Sequence, residues 1–512
     1  MSGFLSGAGV LVAALASATA VLLPPGRARS AAMVLALALF PILILGDQWH
    51  THQIVDLRES SGRLVALLAV GAVAVAALAA VFRRWPVLLP LAIVAALPFR
   101  VPLHSGGDSA NLLVPLYLVI AGGVVAVALR DWSSPPPSRG RLHGPVLWLP
   151  RLLAAFVVLY ALQSLYSDDF SKALQNACFF LVPFTVAYAL LSDVRWDKRL
   201  LSWTLILVAV EAVAFVLVGS VEYLSRSLFW NDAVIRSNEF HTYFRVNSVF
   251  WDPNIYGRYL ALVLVVVTTA LLWVKERRPF WLLAGTILVL WIGLAQTFSQ
   301  SSFIALLAGL AVLAALRWSW RWTLAAVVVG VVGAFLVVVM IGGKGFDLDR
   351  LGPDTSGRTN LVSGGAELFS ERPLQGYGAG SFQQAYRDHH EHKKAPVTIS
   401  HTEPITVAAE QGVIGLAVYL ALVVVAIWTM GAGLWARAPG RDPTVSDAAR
   451  AAVLATFVAL LLHTLAYAGF FEDPITWVLL AVGASLAAAR ATTPRNGPAG
   501  PAPAAGAVRE PA

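Results

Sequence analysis

The stretch Ser400–Gly415, "SHTEPITVAAEQGVIG", passes from a polar loop directly into the apolar run 407–435. A run of that length reads as a helix crossing a bilayer, because a span needs about 20 predominantly apolar residues. His401 then stands at the mouth of the helix, with Glu410, Gly412 and Gly415 in its first turns. Glycines three apart let another helix or a lipid chain approach closely. What the histidine can do depends on which side of the membrane it faces.

Fourteen further apolar runs are long enough to cross, at 5–23, 31–46, 64–82, 86–99, 111–129, 146–166, 172–191, 200–219, 256–274, 280–296, 301–316, 320–341, 451–469 and 475–489. Of the 512 residues, 58% are hydrophobic and 13% charged. An ordinary soluble domain is roughly 25% charged, so one water-bounded core cannot absorb this chain and lipid must be its solvent. The expected fold is all-α, a polytopic membrane helical bundle of about 12–15 transmembrane helices, with a large extracytoplasmic loop carrying short helices. The N-terminus lacks the basic region of a cleavable signal, so its first apolar run is expected to remain as a span. The one cysteine, Cys178, lies within "ACFFLVPF" and rules out disulfide frameworks and cysteine-based metal sites.

Orientation follows from the short loops. Arg27 and Arg29, Arg83 and Arg84, Arg130 with Arg139 and Arg141, Arg195 with Lys198 and Arg199, "KERR" at 275–278, Arg317 and Arg321, and Arg437 with Arg441 and Arg450 fall in alternate loops. By the positive-inside rule these are cytoplasmic, and the rule also accounts for the formal charge of +8 without a nucleic-acid partner. The intervening loops, such as "SDDFS" at 167–171 and "FFEDP" at 470–474, are neutral or acidic. Fifteen spans place the N-terminus outside and the tail inside, and leave two long outer loops at about 220–255 and 342–405. The linker "SSPPPSRGRLHGP" (133–145) is cytoplasmic, and the Pro/Ala/Gly-rich tail 491–512 is expected to be a disordered cytoplasmic extension.

Three outer stretches carry chemistry. Arg245 precedes "NSVFWDPN", Arg358 lies in "SGRTN" ahead of "RPLQGYGAGSF", and His401 opens "HTEPITVAAEQGVIG". Arg358 is expected at the start of a short helix at about 360–369, where a cation and the helix N-terminus together suit an anion such as phosphate. The order of these stretches resembles the O-antigen ligase and O-antigen polymerase superfamily of integral membrane glycosyltransferases. The likeness spans roughly 146–490 and is most specific at 354–420. It implies a membrane core over 86–490, twelve spans with both ends cytoplasmic, preceded by extra transmembrane helices in 1–85.

The resemblance further implies that Arg245 and Arg358 bind the diphosphate of a polyprenyl-diphosphate-linked glycan, and that His401 serves the transfer. Arg372, Asn254, Glu410, Gly412 and Gly415 are supporting candidates. General chemistry agrees. Breaking a glycosyl–phosphate bond puts charge on the leaving diphosphate, and guanidinium forks match phosphate oxygens bidentately. A neutral imidazole, with an ordinary pKa near 6.5, can take a proton from a sugar hydroxyl. No cofactor or metal is called for. Two positions depart from the family pattern: Thr402 follows the histidine where asparagine is usual, and "TFSQ" carries Gln300 where an arginine is usual.

The expected activity is therefore transfer of a glycan from the lipid-linked donor to a hydroxyl of an acceptor glycan or glycolipid. It would take place on the outer face of the plasma membrane with inversion at the anomeric carbon. A polysaccharide polymerase, using a second lipid-linked glycan as acceptor, shares this chemistry. A secondary transporter instead predicts inverted repeats and broken helices meeting at mid-membrane. The histidines of "DHHEHKK" (388–394) read as a solvated loop, and Glu211 and His463, inside spans, fall outside the proposed site.

Overall fold

The computed structural model describes residues 3–47, 61–105, 108–133, 147–240, 243–325, 327–328, 353–389, 400–434 and 444–492. The chain runs as α1 (Gly3–Leu22), α2 (Arg27–Asp47), α3 (Ser61–Arg84), α4 (Leu88–Ala96), β1 (Val101–Ser105), β2 (Asp108–Leu112), α5 (Val114–Ser133), α6 (Trp148–Ser164) and α7 (Phe170–Ser192). It continues as α8 (Lys198–Ser225), α9 (Asp232–Phe240), α10 (Pro253–Trp273), α11 (Arg277–Thr297), α12 (Gln300–Arg317), α13 (Pro353–Glu371) and α14 (Phe382–His389). Last come α15 (Glu403–Gly431), α16 (Val445–Thr464) and α17 (Pro474–Thr492). Among the described residues, 11 helices are long and apolar enough to cross a membrane, and α6 and α17 are shorter apolar helices. The protein is a polytopic helical membrane protein, and its β-structure among these residues is one antiparallel hairpin, β1 with β2, in register Val101 with Leu112.

One continuous apolar core runs from Val10 in α1 to Leu486 in α17, so the first two helices pack into the same bundle as the rest. Small residues set the closest helix approaches: at Gly309 in α12 an added Cβ would lie 3.2 Å from Ala459 Cβ and 3.3 Å from Ala455 O in α16. Lipid tails supply no hydrophobic drive between helices, so such close packing does the holding. Large apolar side chains such as Val73, Leu224 and Trp281 are exposed on the outer surface, as expected where the solvent is hydrocarbon.

Proline shapes two elements. Within α7, Pro183 cannot donate to the carbonyl four residues back and its ring crowds that oxygen. The helix widens to a π turn at Ala177–Leu181, and the carbonyl of Phe179 accepts from the Tyr117 hydroxyl at 2.8 Å instead. The run 86–99 does not form a full span. Its helix α4 has nine residues, about 14 Å at 1.5 Å per residue, roughly half the hydrocarbon thickness. Pro98, lying just past its end, cannot continue the ladder. Most of the expected span 320–341 and the tail beyond 492 lie outside the described residues.

The two ends of the bundle differ in charge. At one end, arginines cap helix C-termini. Arg29 bonds Ala20 O at 2.8 Å together with Ala189 O and Asp193, Arg450 bonds Met430 O and Ala432 O, and Arg490 bonds Gly433 O at 2.9 Å. Cations placed there complement the negative end of the helix macrodipole. The other end gathers the loops after α6, α8, α11 and α16 with the segment 372–382. Asp168 N donates to Tyr377 O, Ser167 Oγ to Ala379 O and Thr402 Oγ1 to Leu465 O.

Candidate functional site

The glycines of "EQGVIG" mark a break in α15. Gly412 has φ 65° and ψ −165°, a region essentially reserved for glycine, and the helix ladder is interrupted there. The segment 373–378 satisfies the released groups. Tyr377 N donates to Ala409 O at 3.1 Å, Gly378 N to Glu410 O at 2.8 Å, and Val413 N to Pro373 O at 2.7 Å. The backbones meet so closely that a Cβ on Gly412 would stand 2.3 Å from Leu374 O, and one on Gly376 2.3 Å from Glu410 O. The buried Glu410 side chain accepts from Gly380 N at 2.8 Å and Phe382 N at 3.2 Å, fixing the start of α14. Gly415 is different: it is helical, and Gln411 leans over it. Gly412→Ala should therefore lower stability by more than about 2 kcal/mol through strain and backbone clash together. Thermal unfolding in detergent measures this, with Gly285→Ala, where an added Cβ meets nothing within 4 Å, as the milder comparison.

Beneath this clamp lies a cavity of about 350 Å³ between α6, α7, α10, α15 and the loop after α16. Its titratable lining comprises Arg100, Lys172, Arg258 and His401, together with Glu403, Glu410, Glu472 and Asp473. Three of the carboxylates are already engaged. Glu410 holds the clamp, Glu403 accepts from Gly469 N at 2.8 Å and Phe470 N at 3.0 Å, and Asp473 pairs with Arg258 at 2.9 Å. Arg258 is 4% exposed and its second terminal nitrogen, Nη1, has no hydrogen-bond partner among the described residues. A buried guanidinium with an unused donor at a cavity wall is set to receive an anion.

His401 sits on the turn entering α15 with φ 62°, an uncommon conformation for a residue bearing a Cβ. Ser400 Oγ braces the turn by donating to Thr402 O at 2.8 Å. The imidazole lies 6.3 Å from the ring of Tyr467 between centroids, and Tyr467 lies 6.0 Å from His463. His463 Nε2 lies 3.2 Å from Ser301 Oγ and 3.4 Å from Ser302 Oγ, at the start of α12 beside Gln300. His463 thus adjoins the site, whereas Glu211 only accepts from Tyr259 and belongs to helix packing.

The structure does not bring all the sequence candidates onto the cavity wall. Arg245 lies alongside, with Nε donating to Thr297 O at 2.9 Å and Nη2 to Asn254 Oδ1 at 3.0 Å. Asn254 in turn stands one helical turn before Arg258 on the same face of α10. Arg358 is on α13, but that helix starts at Pro353, so Arg358 is in its second turn and not at the N-terminus. A helix N-terminus therefore does not help Arg358 to hold an anion. Arg372 lies over the Tyr377 ring at 4.1 Å and 3.8 Å from Asp168, where it braces the clamp. Beside it, desolvation and a hydrogen bond to Glu371 raise the Tyr377 phenol to about 12, while that same bond holds Glu371 below the usual carboxylate range.

Arg100, Lys172 and Arg258 were absent from the candidates read in the sequence. Arg258 carried a signal, a cation inside the run 256–274, since ionisable groups within spans are costly and commonly functional. Arg100 and Lys172 stand at the edges of apolar runs, where cations are ordinary, and only the fold brings them together. Among the described residues no group of three His, Cys, Asp or Glu is placed to hold a metal, and His390 and His392 lie outside those residues.

Residues 285–420 match the family model described as O-antigen ligase. Over this segment the chain is similar to O-antigen ligase domains. The match runs from α11 to the middle of α15, taking in Gln300, Arg358, the glycine clamp and His401. Arg245, Arg258 and the loop bearing Asp473 lie outside it. An O-antigen ligase domain supports a membrane glycosyltransferase of the ligase or polymerase type, working on lipid-linked glycans in a bilayer. No curated protein matches the chain.

Proposed function

We propose that this protein transfers a glycan from a polyprenyl-diphosphate donor to a hydroxyl of an acceptor glycan or glycolipid, at the outer face of the plasma membrane. The observation that carries this reading is the shared cavity, where His401 stands with three cations next to the glycine clamp. The acceptor oxygen forms the new bond to the anomeric carbon as the bond from that carbon to the diphosphate breaks, with inversion. The electron pair leaves on the diphosphate, and the acceptor proton passes to His401. Arg245 and Arg358 remain assigned to the diphosphate through the family resemblance, and Arg258 joins them from the cavity wall. Guanidinium groups are the neutralising charges in this scheme, and Asn254 positions Arg245.

The domain reading belongs to the same proposal: α1–α3, within residues 1–85, precede a ligase-like core over 86–490. The broken helix α15 is a feature that transporters share. Here, however, the groups released by the break are taken up by the segment 373–378, which favours a fixed clamp. A polymerase differs only in its acceptor. Purified protein in nanodiscs, given a defined lipid-linked donor with either a glycolipid acceptor or a second lipid-linked glycan, tests the function and separates the two. No product with any acceptor would remove the reading. In intact cells, cysteines at the exposed Ser363 and Ser133 report sidedness, with the native Cys178 buried. An impermeant reagent should label the first and spare the second.

A further inference from the structure

At the basic end, far from the cavity just described, a larger hollow of about 950 Å³ lies between α2, α3, α4, α5, α7 and the start of α8. Residues 86–91, the start of α4 and the turn before it, form one of its sides. The floor is apolar, with Met33, Phe82, Leu89 and Leu190 in its wall. Val87 and Leu88, also in the wall, are exposed on the outer surface at 50% and 37%.

The rim is cationic once its ion pairs are counted. Arg29, Arg83, Arg130, Arg195 and Arg199 face Asp131, Asp193 and Asp197. Each carboxylate is committed: Asp131 to Ser30 Oγ and Arg130, Asp193 to Arg29, and Asp197 to the backbone N–H of Leu200 that it caps at 2.8 Å. Arg83, Arg195 and Arg199 form no ion pair or side-chain hydrogen bond among the described residues and are exposed. Trp85, Trp132 and Trp203, exposed at 53%, 52% and 54%, stand at the same level. Tryptophan at such positions marks the headgroup layer, so the rim sits where lipid phosphates lie.

We propose that this hollow is a binding site for one anionic phospholipid, its phosphate held by Arg83, Arg195 and Arg199 and an acyl chain lying on the apolar floor. Basic pockets between transmembrane helices recognise anionic headgroups in this way. Phosphate alone would leave the apolar floor unused, and a zwitterionic lipid would forgo the charge. The lipid would also support α4, whose far end leads to Arg100 in the cavity of the opposite face. The site does not depend on the glycan-transfer reading.

The test is native mass spectrometry of the full chain released from nanodiscs containing equal phosphatidylglycerol and phosphatidylcholine. One phosphatidylglycerol should be retained in preference to phosphatidylcholine. The variant Arg83→Gln/Arg195→Gln/Arg199→Gln should weaken that retention about 100-fold, from three lost surface cations. Leu88→Trp should weaken it too by filling the mouth without changing charge, and all four positions are exposed enough to leave the fold intact. Equal retention of phosphatidylcholine, or unchanged phosphatidylglycerol in both variants, would overturn the proposal. Displacement by millimolar inorganic phosphate would overturn it as well, because the site would then be one for a free anion.

Discussion

His401→Ala should lower glycan transfer by about 10²–10⁴-fold, the usual worth of a positioned base, while the protein still inserts and binds donor. The expectation rests on the place of the imidazole, at the turn into α15 on the wall of the same cavity as Arg258. Backbone strain offers a control. At φ 62° histidine is in the left-handed region, which asparagine tolerates better than most residues. His401→Asn should then be at least as stable as the parent and yet as inactive as the alanine variant, separating chemistry from folding. Wild-type transfer should rise with pH as the imidazole loses its proton, because only the neutral form accepts one. A histidine that merely hydrogen-bonds its loop makes a different forecast. Near-normal turnover in His401→Gln would end the base assignment and leave the assignment of the arginines to the diphosphate standing.

Much of this fold could be read from the residues because lipid imposes one rule on every span. Backbone groups in hydrocarbon must bond internally, so an apolar run of sufficient length becomes a helix. Short loops with arginine at every second turn then gave an alternation, and the structure gathers arginines such as Arg29, Arg450 and Arg490 at one end. The rule fails where proline intervenes. The run 86–99 is apolar throughout, yet α4 stops at Ala96, and hydropathy carries no trace of that. The candidate site was legible in part. "HTEPITVAAEQGVIG" announced the histidine and the glycines, but the glycines suggested helix packing or lipid contact. Their role as a clamp on "PLQGYG" depends on backbone hydrogen bonds between segments more than 30 residues apart, which spacing cannot express. Arg358 was placed at the start of a helix at about 360–369, and the helix began earlier, at Pro353.

Arg258 is one of three cavity cations absent from the sequence candidates, and it leads to a stringent test. Asp473→Ala should destabilise the protein by about 3–5 kcal/mol, because it leaves the Arg258 guanidinium buried without its carboxylate. Arg258→Ala should cost a similar amount by stranding Asp473. Neither variant can tell a structural ion pair from a substrate ligand, since both would lose activity through loss of fold. The double variant Arg258→Met/Asp473→Leu can. Replacing a buried pair by apolar residues of similar volume is commonly neutral or stabilising, so the double variant should recover most of the lost stability, short of the roughly 1 kcal/mol from the bond that Asp473 accepts from Ile475 N at the start of α17. Donor binding should not return with it. Without Nη1 to meet the diphosphate, affinity for a lipid diphosphate should stay about 10- to 100-fold below that of the parent, the worth of one or two charge-assisted contacts. If the restored double variant binds donor and transfers glycan normally, Arg258 only holds α10 to the loop before α17. The diphosphate would then belong to Arg245 and Arg358 alone.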